Sequence, residues 1–285
     1  MILIQKIYNE GTSSAFFARL KLGLFEIRDA VYSDESNRLI FDEDYGPIFD
    51  AMHTCRESVK KVIELVNNHK TRIAKGEIIK HQNNSTSITE SLDIELEEQV
   101  KNIFIHGAIA VKNVQIITRM LNTELGFLYQ KDSLFNEGVK KLVKNGENEL
   151  AGYLCEVRKK WSKDFFNTRT QIEHKGWALP KVEYLFNQNR SAEIVAPNID
   201  GIPITEYVIT IINRIISYVE NVLVYSLNKN MRINIVTEIP EEKRDPGNKK
   251  RFELRVKAEL FSKQLGNVQN GYPKWTIYYN EDNFI

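Results

Sequence analysis

Cysteine is scarce in this chain: Cys55 and Cys155 are the only two in 285 residues. They form no CxxC or CxxH spacing, which argues against a cysteine-built metal site. So few cysteines fit a reducing, cytoplasmic setting. A surplus of one charge is also missing. The 39 basic and 38 acidic side chains leave a formal net charge of +1. The molecule therefore projects no long-range positive field, and any hold on nucleic acid must come from a local patch. No stretch approaches 18 uninterrupted apolar residues, so no membrane span is expected. The opening "MILIQKIYNEG" has an apolar patch but neither a long apolar core nor a small-residue cleavage site, so no leader is expected. No two histidines stand at i, i+4 around a glutamate, and no GxGxxG, Walker A or GxSxG motif occurs. These absences leave zinc hydrolases of that type, dinucleotide enzymes, P-loop NTPases and serine hydrolases without support, and no metal or other cofactor is expected. There is no internal repeat and no low-complexity tract.

Helical periodicity dominates what is present. Hydrophobic residues make up 42% and charged residues 27%, as in a globular chain with a core to bury. "SSAFFARLKLGLFEIRDAVY" (13–32) predicts a helix with an apolar face. Pro47 stands where a first-turn proline would open the next one. After it, Ile48, Met52, Cys55, Val59, Val62, Val66 and Ile73 recur in steps of four and three, with His69 filling one gap in the stripe. "HQNNSTSITE" (81–90) reads as a polar, mobile loop, with Ser87 and Glu90 at capping-box spacing. A helix over 91–121 follows, striped by Val100, Ile103, Phe104, Gly107, Val111, Val114, Ile117 and Leu121. A shorter helix is expected over 132–144. The next begins at Asn148, carries Leu150, Leu154, Val157, Trp161, Phe165, Thr168 and Ile172 on one stripe, and closes at Lys175–Gly176 with the glycine left-handed. "KVEYLFNQN" and "AEIVAPNI" read as short strands or extended connectors. Residues 204–227 are apolar nearly all round and belong at the centre of a bundle.

Near the end the period shifts to two. In "RFELRVKA", Phe252, Leu254, Val256 and Ala258 alternate with Arg251, Glu253, Arg255 and Lys257, the pattern of a half-buried strand. "RINIVTEI" precedes it across the turn residues Asp245 to Asn248. "KWTIYYN" is a third candidate strand, and "MILIQKI" a candidate addition to the same sheet. The expected fold is mainly α: an antiparallel helical bundle over 1–231 with a small antiparallel β-rich part over 232–285, packed separately or as one domain.

"FFNTRTQIEHKGW" (165–177) carries the candidate chemistry. Arg169 offers a planar fork of donors suited to phosphate. His174 can take a proton from a ribose 2′-hydroxyl or give one to a leaving oxygen near neutral pH. Together they could cleave RNA without a metal, the arginine offsetting charge that gathers on the phosphoryl oxygens. His174 lies in the last helical turn, where the negative end of the helix dipole suits a proton donor, and Glu173 acts in the same sense. On a straight helix the two side chains stand about 140° apart. A loosened last turn or a two-fold partner helix would bring them into one groove. The plainer reading is an i, i+4 ion pair of Arg169 with Glu173 on a solvated face. Lys163 shares the face of Asn167 and His174, as a phosphate-steering group or a solvated lysine. Trp177 could stack on a base, whereas Trp161 belongs to the apolar stripe. "EEKRDPGNKKR" (241–251) reads as a solvated turn or a contact for the RNA backbone. His106 is a core or interface histidine or a second-site residue, His69 a packing residue, and His53 and His81 are expected to be solvated.

The segment "RTQIEHKGW", at the end of a long helix in a helical bundle, resembles the HEPN superfamily (higher eukaryotes and prokaryotes nucleotide-binding), with its arginine and histidine separated by four to six residues near a helix end. The "EHKGW" tail and the helix over 204–227 look similar to a poorly characterised bacterial branch. The resemblance spans roughly residues 10–230. It implies a homodimeric bundle and, for active members, a metal-independent endoribonuclease leaving a cyclic phosphate. Such proteins often serve as toxins, with an antitoxin or regulatory partner, or in phage defence. It points to Arg169 and His174 as catalytic; the reading of the residues adds Thr170, Glu173 and Asn167 in support and Lys163, Lys175 and Trp177 as candidate RNA contacts. The chain departs from the pattern at Thr170, where the family usually carries Asn, Asp or His. A catalytically inactive module binding nucleotide, RNA or protein is therefore the alternative.

Overall fold

A computed structural model describes residues 14–82, 85–187, 192–232, 234–247, 249–256 and 275–284. The protein is mainly helical, with small antiparallel sheets of two strands each. In chain order it forms α1 (Ala15–Phe17), a π-helical segment Ala18–Gly23, α2 (Leu24–Val31), α3 (Glu35–Ala74), β1 (Ile79–Gln82), β2 (Ser85–Ile88), α4 (Asp93–Met120) and α5 (Asp132–Lys144). There follow α6 (Asn148–Val157), a second π-helical segment Arg158–Ser162, α7 (Lys163–His174), β3 (Glu183–Phe186), β4 (Ala192–Val195), β5 (Asn198–Ile199) and β6 (Ile202–Pro203). The chain ends with α8 (Ile204–Lys229), β7 (Asn234–Glu238) and β8 (Phe252–Val256). Packing groups the chain into two compact units, Met1–Phe49 with Val111–Lys159 and Ile216–Phe284, and Asp50–Ala110 with Lys160–Ile215.

In the first unit, Phe16 and Phe17 pack on Phe49 with ring centroids 5.2 Å apart in each case. The helix α3 opens twelve residues earlier than Pro47 suggests. Asp34 accepts the backbone N–H of Asn37 at 2.8 Å and its side-chain amide at 2.7 Å, which caps the first turn. Pro47 lies inside the helix. Its missing N–H removes one intrahelical bond, a cost the buried neighbours Tyr45, Ile48 and Phe49 offset. The expected strands at 234–238 and 252–256 form and pair antiparallel, Val236 opposite Leu254. The third does not: among the described residues, 275–280 carry no strand, and only Trp275 N–H reaches the β7 carbonyl of Val236, at 3.0 Å. The proposed "MILIQKI" addition and Ala258 lie outside the described residues.

The alternation expected in β8 is also incomplete. Val256 is exposed, whereas Arg251 is 1% exposed. Arg251 donates from Nε to Glu238 at 2.8 Å and from Nη1 to Glu220 at 3.1 Å and to the Asn221 side chain at 2.8 Å. Arg19, in the π-helical segment, donates from Nε to the same Glu220 at 2.9 Å and from Nη2 to Asp282 at 2.9 Å. Asp282 also stands 3.2 Å from Arg251 Nη1. Arg244, expected on a solvated turn, folds back on Glu238 at 3.0 Å. Thus the 241–251 segment turns two of its arginines inward on carboxylates.

In the second unit, Met52, Cys55, Val59, Val62, Val66 and Ile73 are all buried, as the four-and-three spacing predicts. His69 joins them, 7% exposed, with Nε2 2.8 Å from the Tyr184 hydroxyl. The polar stretch after α3 is a hairpin rather than a loop: Ile79 pairs with Ile88 and Gln82 with Ser85. The capping-box pair is not used, because Ser91 Oγ accepts the Asp93 N–H at 3.2 Å while Glu90 binds Arg72. Helix α8 is long and apolar enough to cross a membrane by length and composition, yet 72% of its apolar window is buried inside the protein.

Candidate functional site

The π-helical turn Arg158–Ser162 decides which face α7 presents. An extra residue in one turn rotates everything after it, so the stripe running through Leu154, Val157 and Trp161 continues as Phe165 and Phe166, both buried. Thr168 and Ile172, expected on the stripe, are half-buried. Phe165 anchors the helix. Its ring stacks on Phe104 at 5.2 Å and meets Trp161 edge-on at 5.7 Å. Gly107 makes room for it, since a Cβ there would lie 3.1 Å from the Phe165 ring and 2.6 Å from Ile215 Cδ1.

The helix ends where the glycine predicts. Gly176 has φ +67°, and the Gln171 carbonyl accepts the N–H of Lys175 at 2.9 Å and of Trp177 at 3.3 Å. Trp177 is half-buried with its ring 6.1 Å from that of Phe104, so it packs within the protein rather than standing free for a base.

Arg169 and His174 meet through a third residue. Arg169 Nη2 pairs with Glu173 Oε1 one turn on, the i, i+4 ion pair that the spacing allows. His174 Nε2 stands 3.6 Å from the other oxygen, Glu173 Oε2. One carboxylate therefore faces both the guanidinium and the imidazole, which bridges the angular gap that a straight helix leaves between them. Exposure grades across the trio. The side chains of Arg169 and Glu173 are 24% and 27% exposed, and that of His174 66%, so the imidazole is the most solvent-open of the three. Among the described residues the buried Arg169 Nε has no hydrogen-bond acceptor, so part of its donor fork is unused there.

Thr170 is turned away from this trio's chemistry. Its hydroxyl donates to the Phe166 carbonyl at 2.8 Å, the back-bond typical of a threonine within a helix. Asn167, Lys163 and Lys175 are exposed. His106 is half-buried, and His81 Nδ1 lies 3.0 Å from Thr86 Oγ1 across the hairpin. Among the described residues, no grouping of His, Cys, Asp and Glu could hold a metal ion. The chain matches no protein-family model, no curated protein and no solved structure.

The sequence reading missed the buried ionic cluster around Arg251 and Glu220. Its members are spread from Arg19 to Asp282, and no local pattern connects them. The only signal was Glu220 itself, a charge inside a helix that is otherwise apolar nearly all round.

Proposed function

We propose that the chain is a metal-independent endoribonuclease of HEPN type, working as a homodimer of antiparallel helical bundles in the cytoplasm, as a toxin or phage-defence effector. What supports the reading is the arrangement at the end of α7: a guanidinium and a solvent-open imidazole facing one carboxylate. In the proposed reaction the ribose 2′-oxygen attacks the adjacent phosphorus. The O2′–P bond forms as the P–O5′ bond breaks, leaving a 2′,3′-cyclic phosphate and a free 5′-hydroxyl. His174 takes the 2′-proton, or returns one to the departing oxygen. Arg169 exchanges Glu173 for the phosphoryl oxygens and offsets their charge. Glu173 then orients the imidazole. The equivalent helix of the second protomer completes the groove, with Lys163 and Lys175 steering the backbone.

The test is RNA cleavage in EDTA. Wild type should cut and leave cyclic phosphate ends. Arg169→Ala and His174→Ala should each lose about 10²–10⁴-fold in rate with the helical circular dichroism unchanged. Wild type that cuts no RNA, or variants that cut as well as wild type, would overturn the proposal. One observation favours a second reading, a noncatalytic module of the same type that binds nucleotide, RNA or a protein partner. The Thr170 hydroxyl, at the position next to the arginine, is committed to the Phe166 carbonyl. RNA bound but left intact is the outcome that would select it.

A further inference from the structure

Glu173 stands where an acid works against its own helix. It is the second-last residue of α7, at the carbonyl end, whose negative potential disfavours a carboxylate. Its ion pair also runs in the weaker order. On a helix, an acid followed four residues on by a base pairs better than the reverse, and here Arg169 precedes Glu173. Helix stability therefore does not account for Glu173. A residue that breaks local rules without a gain in stability points to a functional role.

The groups around Glu173 indicate that role. Its Oε1 holds Arg169 Nη2, while its Oε2 faces His174 Nε2 at 3.6 Å. One anionic group thus turns one oxygen to the guanidinium and another toward the imidazole, as a phosphate would. The pair is not sealed. The side chains of Arg169 and Glu173 both reach solvent, so the carboxylate can swing into water without leaving a charge stranded in dry interior. A partly exposed pair of this kind is weak enough for another anion to open.

We infer that Glu173 is a built-in competitor for phosphate: in the free chain it occupies the Arg169 guanidinium, and an incoming phosphate has to displace it. Glu173 is a positioning residue with two opposed effects. At rest it lowers the affinity of the site for phosphate. Once displaced from Arg169 it faces only the imidazole and holds it for proton transfer. The inference rests on the reading of Arg169 and His174 as a phosphate site, but its deciding measurement needs no RNA cleavage.

The test titrates inorganic phosphate into the full chain at constant pH and ionic strength. The His174 ring resonances, assigned by their loss in His174→Ala, report binding. Glu173→Gln should bind phosphate about fivefold more tightly than wild type or better, because it loses both the competing pair and the repulsion of a nearby acid. Adding Arg169→Ala to that variant should abolish the gain. The melting temperature of Glu173→Gln should match or exceed that of wild type, as a pair kept for stability would not allow. In RNA cleavage the same variant should lower KM and kcat together. Unchanged phosphate affinity in Glu173→Gln, a gain that survives Arg169→Ala, or a lowered melting temperature would overturn the inference. Wild type that cuts no RNA would end the nuclease reading alone, and the phosphate titration would still decide this one.

Discussion

Replacing Glu220 by glutamine is the sharpest test of how the first unit is held. The Glu220 side chain is 1% exposed and serves two arginines that are themselves nearly sealed, Arg19 at 3% and Arg251 at 0%. It receives Arg19 Nε at 2.9 Å and Arg251 Nη1 at 3.1 Å. Glutamine keeps the shape but removes the charge, and its amide must turn one donor toward a guanidinium. Asp282 and Glu238 then remain against Arg19, Arg251 and Arg244. Removing one partner from a buried ionic group costs about 3–5 kcal/mol, because the charges left behind find no water. For a chain of this length a kcal/mol corresponds to about 2 °C, so Tm should fall by about 6–10 °C. The control is Glu57→Gln. Glu57 pairs with Lys60 at 2.9 Å on an exposed face, with side chains 48% and 38% exposed. Its loss should cost about 0.5 kcal/mol or less. Thermal melts of both variants by circular dichroism, with urea titrations alongside, read the difference. If Glu220→Gln melts as close to wild type as Glu57→Gln does, the buried cluster contributes nothing that a surface pair would not.

Gly107→Ala should destabilise by about 1–2 kcal/mol in urea titration, because overpacking at Phe165 and Ile215 outweighs the gain of about 1 kcal/mol in helix propensity. Gly176→Ala should cost about 1 kcal/mol, read by the same titration, and speed amide exchange in the last turn of α7, since φ +67° is strained for any residue with a Cβ. Burial, and then the neighbouring Arg72 guanidinium, hold the His69 pKa below its ordinary value of 6.5. A depressed histidine contributes stability that is present above the unfolded pKa and lost as pH falls below it. Urea midpoints should therefore drop on going from pH 7 to 5, and His69→Phe should flatten that slope.

The long helices were legible because their cores repeat in steps of four and three. Ile48 to Ile73 and Val100 to Leu121 are buried as their spacing requires. So was the α7 stop, since Gly176 is a local signal. What escaped the sequence depends on distant partners. Arg251 adjoins an alternating strand whose pattern marks it as solvent-facing, and the carboxylates of Glu220, Glu238 and Asp282 explain its burial. Pro47 looked like a helix start because proline is commonest there, but Asp34 supplies a stronger one upstream. At the candidate site, the pairing of Arg169 with Glu173 could be read from spacing. The π turn that shifts the apolar stripe onto Phe166, and the ring of Phe104 that occupies Trp177, could not.

The ionic cluster also sets a timetable. Its three arginines and three carboxylates balance only when Asp282 is in place, and Asp282 lies 263 residues after Arg19. A chain still being synthesised holds Arg19, Arg244 and Arg251 against two acids, with a positive charge left over in what must become dry interior. Closure of this unit therefore waits until residue 282 has been made, and a ribosome stalled shortly before it would display an unfinished, protease-sensitive fold.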